Sequence, residues 1–167
     1  LKIDFKKISS KQNLKKNEIH ILFLDNFKEI KFKPVWLNNE IEKFLTYNSK
    51  VRKIKEPYLF ETQFGLFLIC PILKKTNDYS LDIENQGGLI FDKISTDFYD
   101  NINFYIDDEL YSSSLLRGFC LKSYKFENYK SSTDKIKIKN ILVFSQNYSK
   151  IKSSFQFDLN LVKGVYF

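Results

Sequence analysis

Residues 64–73 read Phe-Gly-Leu-Phe-Leu-Ile-Cys-Pro-Ile-Leu, the longest apolar run in the chain. A run that does not alternate with polar residues predicts a central β-strand that is covered on both faces. Covering both faces requires helices on both sides of the sheet. The run is about half of the ~20 residues that a membrane span needs, and Pro71 interrupts it, so we expect no transmembrane segment.

The rest of the chain alternates between strand and helix patterns, which predicts an α/β fold built on a mixed sheet. Further strands are predicted at residues 2–5, 19–24, 58–63, 102–106 and 136–144, with Ile136, Ile138, Leu142 and Phe144 pointing inward in the last of them. Residues 29–33 also alternate and are predicted to pair with 19–24 as a hairpin. Helices are predicted at residues 36–47, 80–95, 109–124 and from about 152 to the end.

Length and composition indicate one folded domain. The chain has 167 residues, of which 43% are hydrophobic, which excludes a disordered tail and a disulfide-stapled miniprotein. It begins at Leu1 and contains no Met, from which we expect a fragment or a processed product. Lys outnumbers Arg by 25 to 2, a bias typical of an AT-rich genome, so the abundance of Lys says little about function.

The net charge of +7 is unevenly distributed. Residues 1–56 and 110–167 each carry a net charge of +7, whereas residues 78–109 contain nine acidic residues and one Lys. Nucleic-acid-binding proteins usually concentrate basic residues on one face. Since acidic and basic segments alternate here, we interpret the charge as a solvated surface and do not expect nucleic acid as a partner. Contact through residues 1–56 stays open as an alternative.

The residues that could carry chemistry have structural interpretations. His20 is the only histidine and lies inside a predicted strand without a Cys, Asp or Ser partner nearby in sequence, which favours a packed or rim position over a catalytic one. Cys70 and Cys120 are flanked by apolar residues and form no Cys-x-x-Cys pair. We therefore predict that both are reduced core residues and that the chain binds no zinc.

Two short motifs, an acidic triplet and a glycine pair, also favour structural roles. Asp107, Asp108 and Glu109 form the densest carboxylate group, and at the start of a predicted helix they favour capping over metal binding. Gly87-Gly88 lacks the other residues of a phosphate-binding loop, so a packing or turn role is favoured. The residues themselves thus indicate an α/β domain without a recognisable active site. No catalytic or metal-binding residue is predicted, and no substrate-binding residue is assigned.

The segment 115–131 is more distinctive. It reads Leu-Leu-Arg-Gly-Phe-Cys-Leu-Lys-Ser-Tyr-Lys-Phe-Glu-Asn-Tyr-Lys-Ser. It resembles a segment of the leucine aminopeptidase family, in which a helix carrying Gly precedes Ser-Tyr-Arg-Phe-Asp-x-Tyr-Lys/Arg-Thr. Here Lys125, Glu127 and Ser131 replace the usual Arg, Asp and Thr. Residues 141–144 resemble the following family strand, and residues 161–167 resemble the helix that introduces the catalytic domain. The resemblance is closest to the bacterial subgroup with a short N-terminal domain.

The resemblance implies a fold and a function. Residues 1–145 would be a macro-domain-like, non-catalytic N-terminal domain, and residues 146–167 would connect it to a catalytic domain outside this sequence. The parent enzyme would be a cytoplasmic hexamer that removes N-terminal amino acids, Leu preferentially, from peptides. Its two divalent metals, zinc or manganese, would lie in the catalytic domain. The family signature Asn-Thr-Asp-Ala-Glu-Gly-Arg is absent here, so no catalytic residue is carried over.

Other expectations concern the domain itself. Its partners would be its own catalytic domain and further copies of the same chain, and it could help to shape substrate access. Tyr124, Phe126 and Tyr129 are expected to pack structurally, and the helical stripe Phe155, Leu159, Val162 and Tyr166 is expected to be only partly covered. A second hypothesis is a stand-alone macro-like module that binds a nucleotide or ADP-ribose at the carboxyl ends of its strands.

Overall fold

The computed structural model describes residues 2–8, 17–25, 29–47, 55–62, 65–94, 99–129 and 140–166. A 3-10 turn, Val35–Leu37, leads directly into the first helix. In chain order, the elements within these ranges are β1 Lys2–Lys6, β2 Glu18–Leu24, α1 Asn38–Tyr47, β3 Tyr58–Thr62, β4 Gly65–Pro71, α2 Tyr79–Ile94, β5 Asn101–Tyr105, α3 Glu109–Tyr129, β6 Asn140–Phe144 and α4 Tyr148–Tyr166.

The strands form one sheet in the order β1-β6-β5-β2-β4-β3. Neighbouring strands are parallel, except that β3 runs antiparallel to β4 at one edge. Strand β4 lies between β2 and β3, and its residues 67–71 are buried, as the apolar run predicted. With helices packed on both faces, the predicted α/β class and mixed sheet are confirmed.

Two hydrophobic clusters lie on opposite faces of the sheet. The larger cluster packs α2, α3 and α4 against strand residues such as Ile21 and Phe104. The smaller cluster packs α1 and the preceding turn against residues such as Leu22 and Phe67. Because successive side chains of a strand point to opposite faces, β2 supplies both clusters. Each fully buried side chain of this kind stabilises the fold by roughly 1.5–3 kcal/mol.

Two glycines allow α2 and α3 to cross at close range. A Cβ atom built on Gly87 would lie 2.1 Å from the carbonyl oxygen of Leu115, and one built on Gly118 would lie 1.8 Å from that of Glu84. Side chains larger than hydrogen are therefore excluded at both positions. Gly88 is different, since its nearest neighbour would be the Lys122 Cβ atom at 4.0 Å. The predicted packing role belongs to Gly87, and α2 runs through the pair unbroken.

Two details of the predicted strands are wrong. Residues 29–33 form no strand: a single bridge joins Asp25 to Glu29, and Ile30 is buried in the smaller cluster. In β6 the fully buried residues are Ile141 and Val143, whereas the predicted Leu142 and Phe144 are only partly buried. A shift of one residue exchanges the two faces of a strand. Ile136 and Ile138 lie outside the described residues.

The C-terminal helix belongs to the core at its start. Ile151 and Phe155 are buried in the larger cluster, and the Phe155 ring lies 5.8 Å from that of Phe5. The side chains of Leu159, Val162 and Tyr166 lie outside the described part of the chain. The division of the chain at residue 145 stays a prediction. None of the helices that the structure describes has the length and apolarity of a membrane span.

Helix α3 buries one face in the core and extends beyond the predicted residue 124. Leu115, Leu116, Phe119 and Cys120 are all buried in the larger cluster. Tyr124 packs against the same cluster while partly exposed, as a structural role predicted. The helix continues to Tyr129, although the side chains of Phe126 and Tyr129 are outside the described set.

Candidate functional site

A cavity of about 200 Å³ lies at the carboxyl ends of β2, β4 and β5. The chain passes from β2 outward to β4 on one side and then returns to β5 on the other side of β2. Open α/β sheets bind ligands in the crevice where the strand order reverses in this way. The cavity is therefore the first candidate for a functional site.

Aromatic residues make up half of the residues that line the cavity. Tyr111 is central, with its ring edge-on to Phe23 at 5.8 Å and to Tyr79 at 6.2 Å. Phe32 and Tyr105 line the side nearer the smaller cluster. The walls thus come from several segments of the chain, between residues 23 and 111, that the sheet brings to one edge.

Hydrogen bonds fix the Tyr111 wall in place. The Tyr111 hydroxyl donates to Gln86 Oε1 at 2.6 Å and accepts from the Leu73 N–H at 3.1 Å. Gln86 Nε2 in turn donates to the Pro71 carbonyl oxygen at 2.7 Å. Burial raises the pKa of the Tyr111 phenol, so the hydroxyl stays protonated. This network joins α2, α3 and the end of β4, and it holds the ring rigidly against the cavity.

Three charged residues also line the cavity: Lys31, Asp107 and Asp108. Lys31 Nζ lies 2.6 Å from Asp25 Oδ2, and this hydrogen bond raises the pKa of the Lys31 ammonium. The positive charge of Lys31 is therefore already paired with a carboxylate outside the cavity lining. Burial, followed by the charge of Asp108, raises the pKa of Tyr79.

The two aspartates cap different elements. Asp108 Oδ1 accepts a hydrogen bond from the Tyr111 N–H at 2.7 Å, which caps its own helix α3. Asp107 Oδ1 instead accepts from the Ser145 hydroxyl at 2.5 Å and from the N–H groups of Gln146 and Asn147 at 2.9 and 3.3 Å. The predicted capping of α3 is confirmed for Asp108. Asp107 does not cap α3 but binds the turn that begins α4, directly after the neighbouring strand β6.

We expect Asp107→Ala to lower the free energy of unfolding by about 1–2 kcal/mol, because it leaves the Gln146 N–H and the Ser145 hydroxyl without their acceptor. Glu109→Ala is the matched control. Glu109 is exposed in the first turn of α3, so its removal should cost only about 0.3–1 kcal/mol of dipole interaction. Urea unfolding measures both variants, and equal losses would contradict the role of Asp107.

A second polar group lies buried beneath α1, on the opposite face from α3. His20 Nδ1 lies 3.0 Å from the Tyr105 hydroxyl and 3.4 Å from Asn103 Nδ2. Asn103 and Asn101 both donate to the Glu18 carboxylate, at 3.4 and 2.8 Å. In the otherwise apolar strand β5, the polar residues Asn101, Asn103 and Tyr105 alternate with apolar ones. This alternation was the sequence signal for the buried polar cluster, and it was not recognised as one.

His20 is placed for packing. It is 2% exposed, its ring stacks on Phe67 at 5.0 Å, and the Trp36 ring stands edge-on to it at 5.5 Å. Burial lowers the pKa of the imidazole to about 4, so His20 is neutral at physiological pH. Its Nε2 atom has no hydrogen-bond partner among the described residues. No substrate reaches such a ring, which agrees with the predicted packed position.

The cysteines are unreactive core residues. Cys70 and Cys120 are free and buried, as predicted. Burial raises the pKa of both thiols, that of Cys120 to about 12, so neither forms a thiolate readily. Within the described ranges, no group of three or more His, Cys, Asp or Glu side chains could hold a metal ion.

Fold and site together define an α/β domain with a carboxyl-edge cavity. The fold is similar to that of a mutant of tomato leucine aminopeptidase, with a TM-score of 0.70 at 12% sequence identity. The match covers 99% of this chain and 37% of the tomato chain. At this identity the likeness shows a leucine aminopeptidase-like fold and no more, and a bacterial origin stays a prediction. No protein-family model matches the sequence. No curated protein matches it either.

Proposed function

We propose that this chain is the N-terminal, non-catalytic domain of a two-metal leucyl aminopeptidase. The observation that carries the proposal is the asymmetric coverage of the structural match. Nearly the whole of this chain corresponds to about a third of a leucine aminopeptidase chain. A domain of that relative size leaves the larger part of such an enzyme to bind metals and substrate.

The helix α3 adds support at the level of residues. The resemblance to the family rests mainly on residues 115–131, which begin in α3. The Gly within that segment is Gly118, whose hydrogen atom faces the Glu84 backbone at the crossing with α2. One residue of the segment that resembles the family, Gly118, thus lies where the crossing of α2 and α3 leaves no room for a side chain.

The finer features of the proposal follow from the family. The parent enzyme would remove N-terminal amino acids from peptides, using two zinc or manganese ions held by its other domain. It would be a cytoplasmic hexamer. The macro-like domain described here would pack against its own catalytic domain or a neighbouring subunit, and in that position it would influence how substrates reach the interior.

The proposal is tested by comparing this chain with the longer gene product. We expect the coding sequence after Phe167 to continue with Arg-Asp-Leu and later Asn-Thr-Asp-Ala-Glu-Gly-Arg. The longer protein should hydrolyse leucyl-p-nitroanilide in the presence of manganese or zinc and lose that activity with a chelator. Residues 1–167 alone should be inactive. Chelator-sensitive turnover by residues 1–167 that survives repurification would refute the proposal, as would a continuation without either motif.

A further inference from the structure

We propose that the carboxyl-edge cavity binds an organic ammonium group, held between the aromatic rings of Tyr79, Tyr111 and Phe23 and the carboxylates of Asp107 and Asp108. The inference concerns this domain alone and does not depend on the aminopeptidase function. Three properties of the cavity support it: the ring faces, the sign of the charge, and the size.

Aromatic rings attract cations through the negative face of the ring. Tyr111 presents a ring that two neighbours meet edge-on, Phe23 at 72° and Tyr79 at 66°. Rings set at steep angles to one another surround a small group from several sides, which is the arrangement that recognises quaternary and primary ammonium ions. Since hydrogen bonds already engage the Tyr111 hydroxyl, this residue offers its ring rather than its oxygen.

The charge at the cavity also favours a cation. Asp107 and Asp108 both line it, whereas the one lysine in the lining, Lys31, is paired with Asp25. The capping bonds of both aspartates are made through Oδ1. Each carboxylate therefore has a second oxygen that can accept a hydrogen bond from an ammonium group.

The hydrogen bonds that Asp107 and Asp108 accept also disfavour an anionic ligand. Phosphates bind α/β folds through free N–H groups at helix starts on this edge of the sheet. Here the N–H groups of Tyr111, Gln146 and Asn147 are already bonded to the chain's own carboxylates. The volume of about 200 Å³ is also below the ~300–1,000 Å³ of clefts that hold drug-sized ligands. The cavity thus suits a small head group better than ADP-ribose.

Nuclear magnetic resonance titration of residues 1–167 tests the proposal with four probes. Choline presents a quaternary ammonium, and leucinamide presents the primary α-ammonium of a peptide N-terminus. Dimethylbutanol is the uncharged isostere of choline, and ADP-ribose is the anionic comparator. We expect choline, leucinamide or both to shift the backbone amides of Ile72 and Tyr111 saturably. The preferred one identifies the source of the ammonium group. Dimethylbutanol and ADP-ribose should leave these amides unshifted.

Two variants separate the contribution of an aromatic ring to binding from the contribution of a carboxylate charge. Tyr79→Leu removes a ring face but keeps an apolar side chain, and Asp108→Asn removes the charge but keeps a good helix cap. Each should weaken binding of the preferred cation about tenfold. Asp92→Asn is the matched control, because its half-exposed carboxylate pairs with Lys122 and is not in the cavity lining. It should bind with unchanged affinity.

Several outcomes would overturn the proposal. Absence of any shift with both cations at millimolar concentration would do so, as would binding of dimethylbutanol as tight as that of choline. ADP-ribose that binds more tightly than the cations would restore the nucleotide hypothesis in its place. If Tyr79→Leu and Asp108→Asn both fold, as judged by their spectra, yet bind the cations normally, the cavity is not the site.

Discussion

Gly87→Ala is expected to lower the free energy of unfolding by at least about 3 kcal/mol. The new methyl group would lie 2.1 Å from the Leu115 carbonyl oxygen and 2.8 Å from the Phe119 nitrogen. Both atoms belong to the backbone of α3, so no side-chain rotation relieves the overlap. The helices must separate, and the buried contacts between them, including Phe91 against Phe119 at 5.4 Å, would be weakened. Overpacking of a core typically costs about 1–3 kcal/mol and occasionally more.

Gly88→Ala is the matched control one residue away. Its methyl group would meet nothing closer than Lys122 Cβ at 4.0 Å. Because Ala is a better helix former than Gly, this variant should be about 0.5–1 kcal/mol more stable than the wild type. Urea unfolding of both variants gives the comparison. Midpoints that move in the same direction would show that α2 and α3 do not cross as closely as described.

Acidification is expected to reduce stability through His20. Its imidazole has a pKa of about 4 in the folded chain, lowered by burial from 6.5. Between these two pH values the unfolded chain binds a proton that the native state excludes, so the free energy of unfolding falls as the pH falls. The contribution is fully present above pH 6.5, and the loss across the window is on the order of 3 kcal/mol.

Comparison with His20→Gln isolates this contribution. The variant keeps a polar side chain but cannot titrate, while Glu18 and every other ionisable group are present in both proteins. We expect the wild type to be more stable than the variant near pH 7.5, and the difference to shrink or reverse toward pH 4. Urea unfolding at a series of pH values measures it. If the free energies of unfolding of the wild type and the variant changed with pH in parallel, the pKa of His20 would not be lowered in the folded chain.

A strand or helix could be predicted from the sequence where burial allows only one spacing of apolar residues. Strand β4 lies between two other strands and under two layers, so its sequence is apolar at nearly every position. Helix α2 was less clear in the sequence because Gly87-Gly88 disfavours a helix, although its buried residues, among them Ile83, Ile90 and Ile94, do keep helical spacing. Residues 29–33 were wrongly predicted as a strand because a segment that packs against a sheet can alternate between buried and exposed residues much as a strand does. In β6 the alternation that was followed pointed Leu142 and Phe144 inward, whereas the buried residues are Ile141 and Val143.

The candidate site was less accessible to sequence reasoning. Only Asp107-Asp108 stood out. Capping of α3 was the correct interpretation for Asp108, whereas Asp107 binds the turn before α4. The aromatic wall combines Phe23, Tyr79 and Tyr111 from β2, α2 and α3, and no local pattern marks aromatic residues that meet only after the sheet has formed. Tertiary structure, not spacing along the chain, creates the cavity.

The two edges of the sheet give the isolated domain unequal tendencies to aggregate. At one edge, β1 carries the charged residues Lys2, Asp4 and Lys6, and charges on an edge strand discourage the addition of another strand. At the other, β3 exposes Tyr58 and Leu59 by 45% and 42%. Concentrated solutions would therefore begin to self-associate at β3. Replacing Leu59 with Lys would be the first step toward a better-behaved sample, and labels or tags would be tolerated best beside β1.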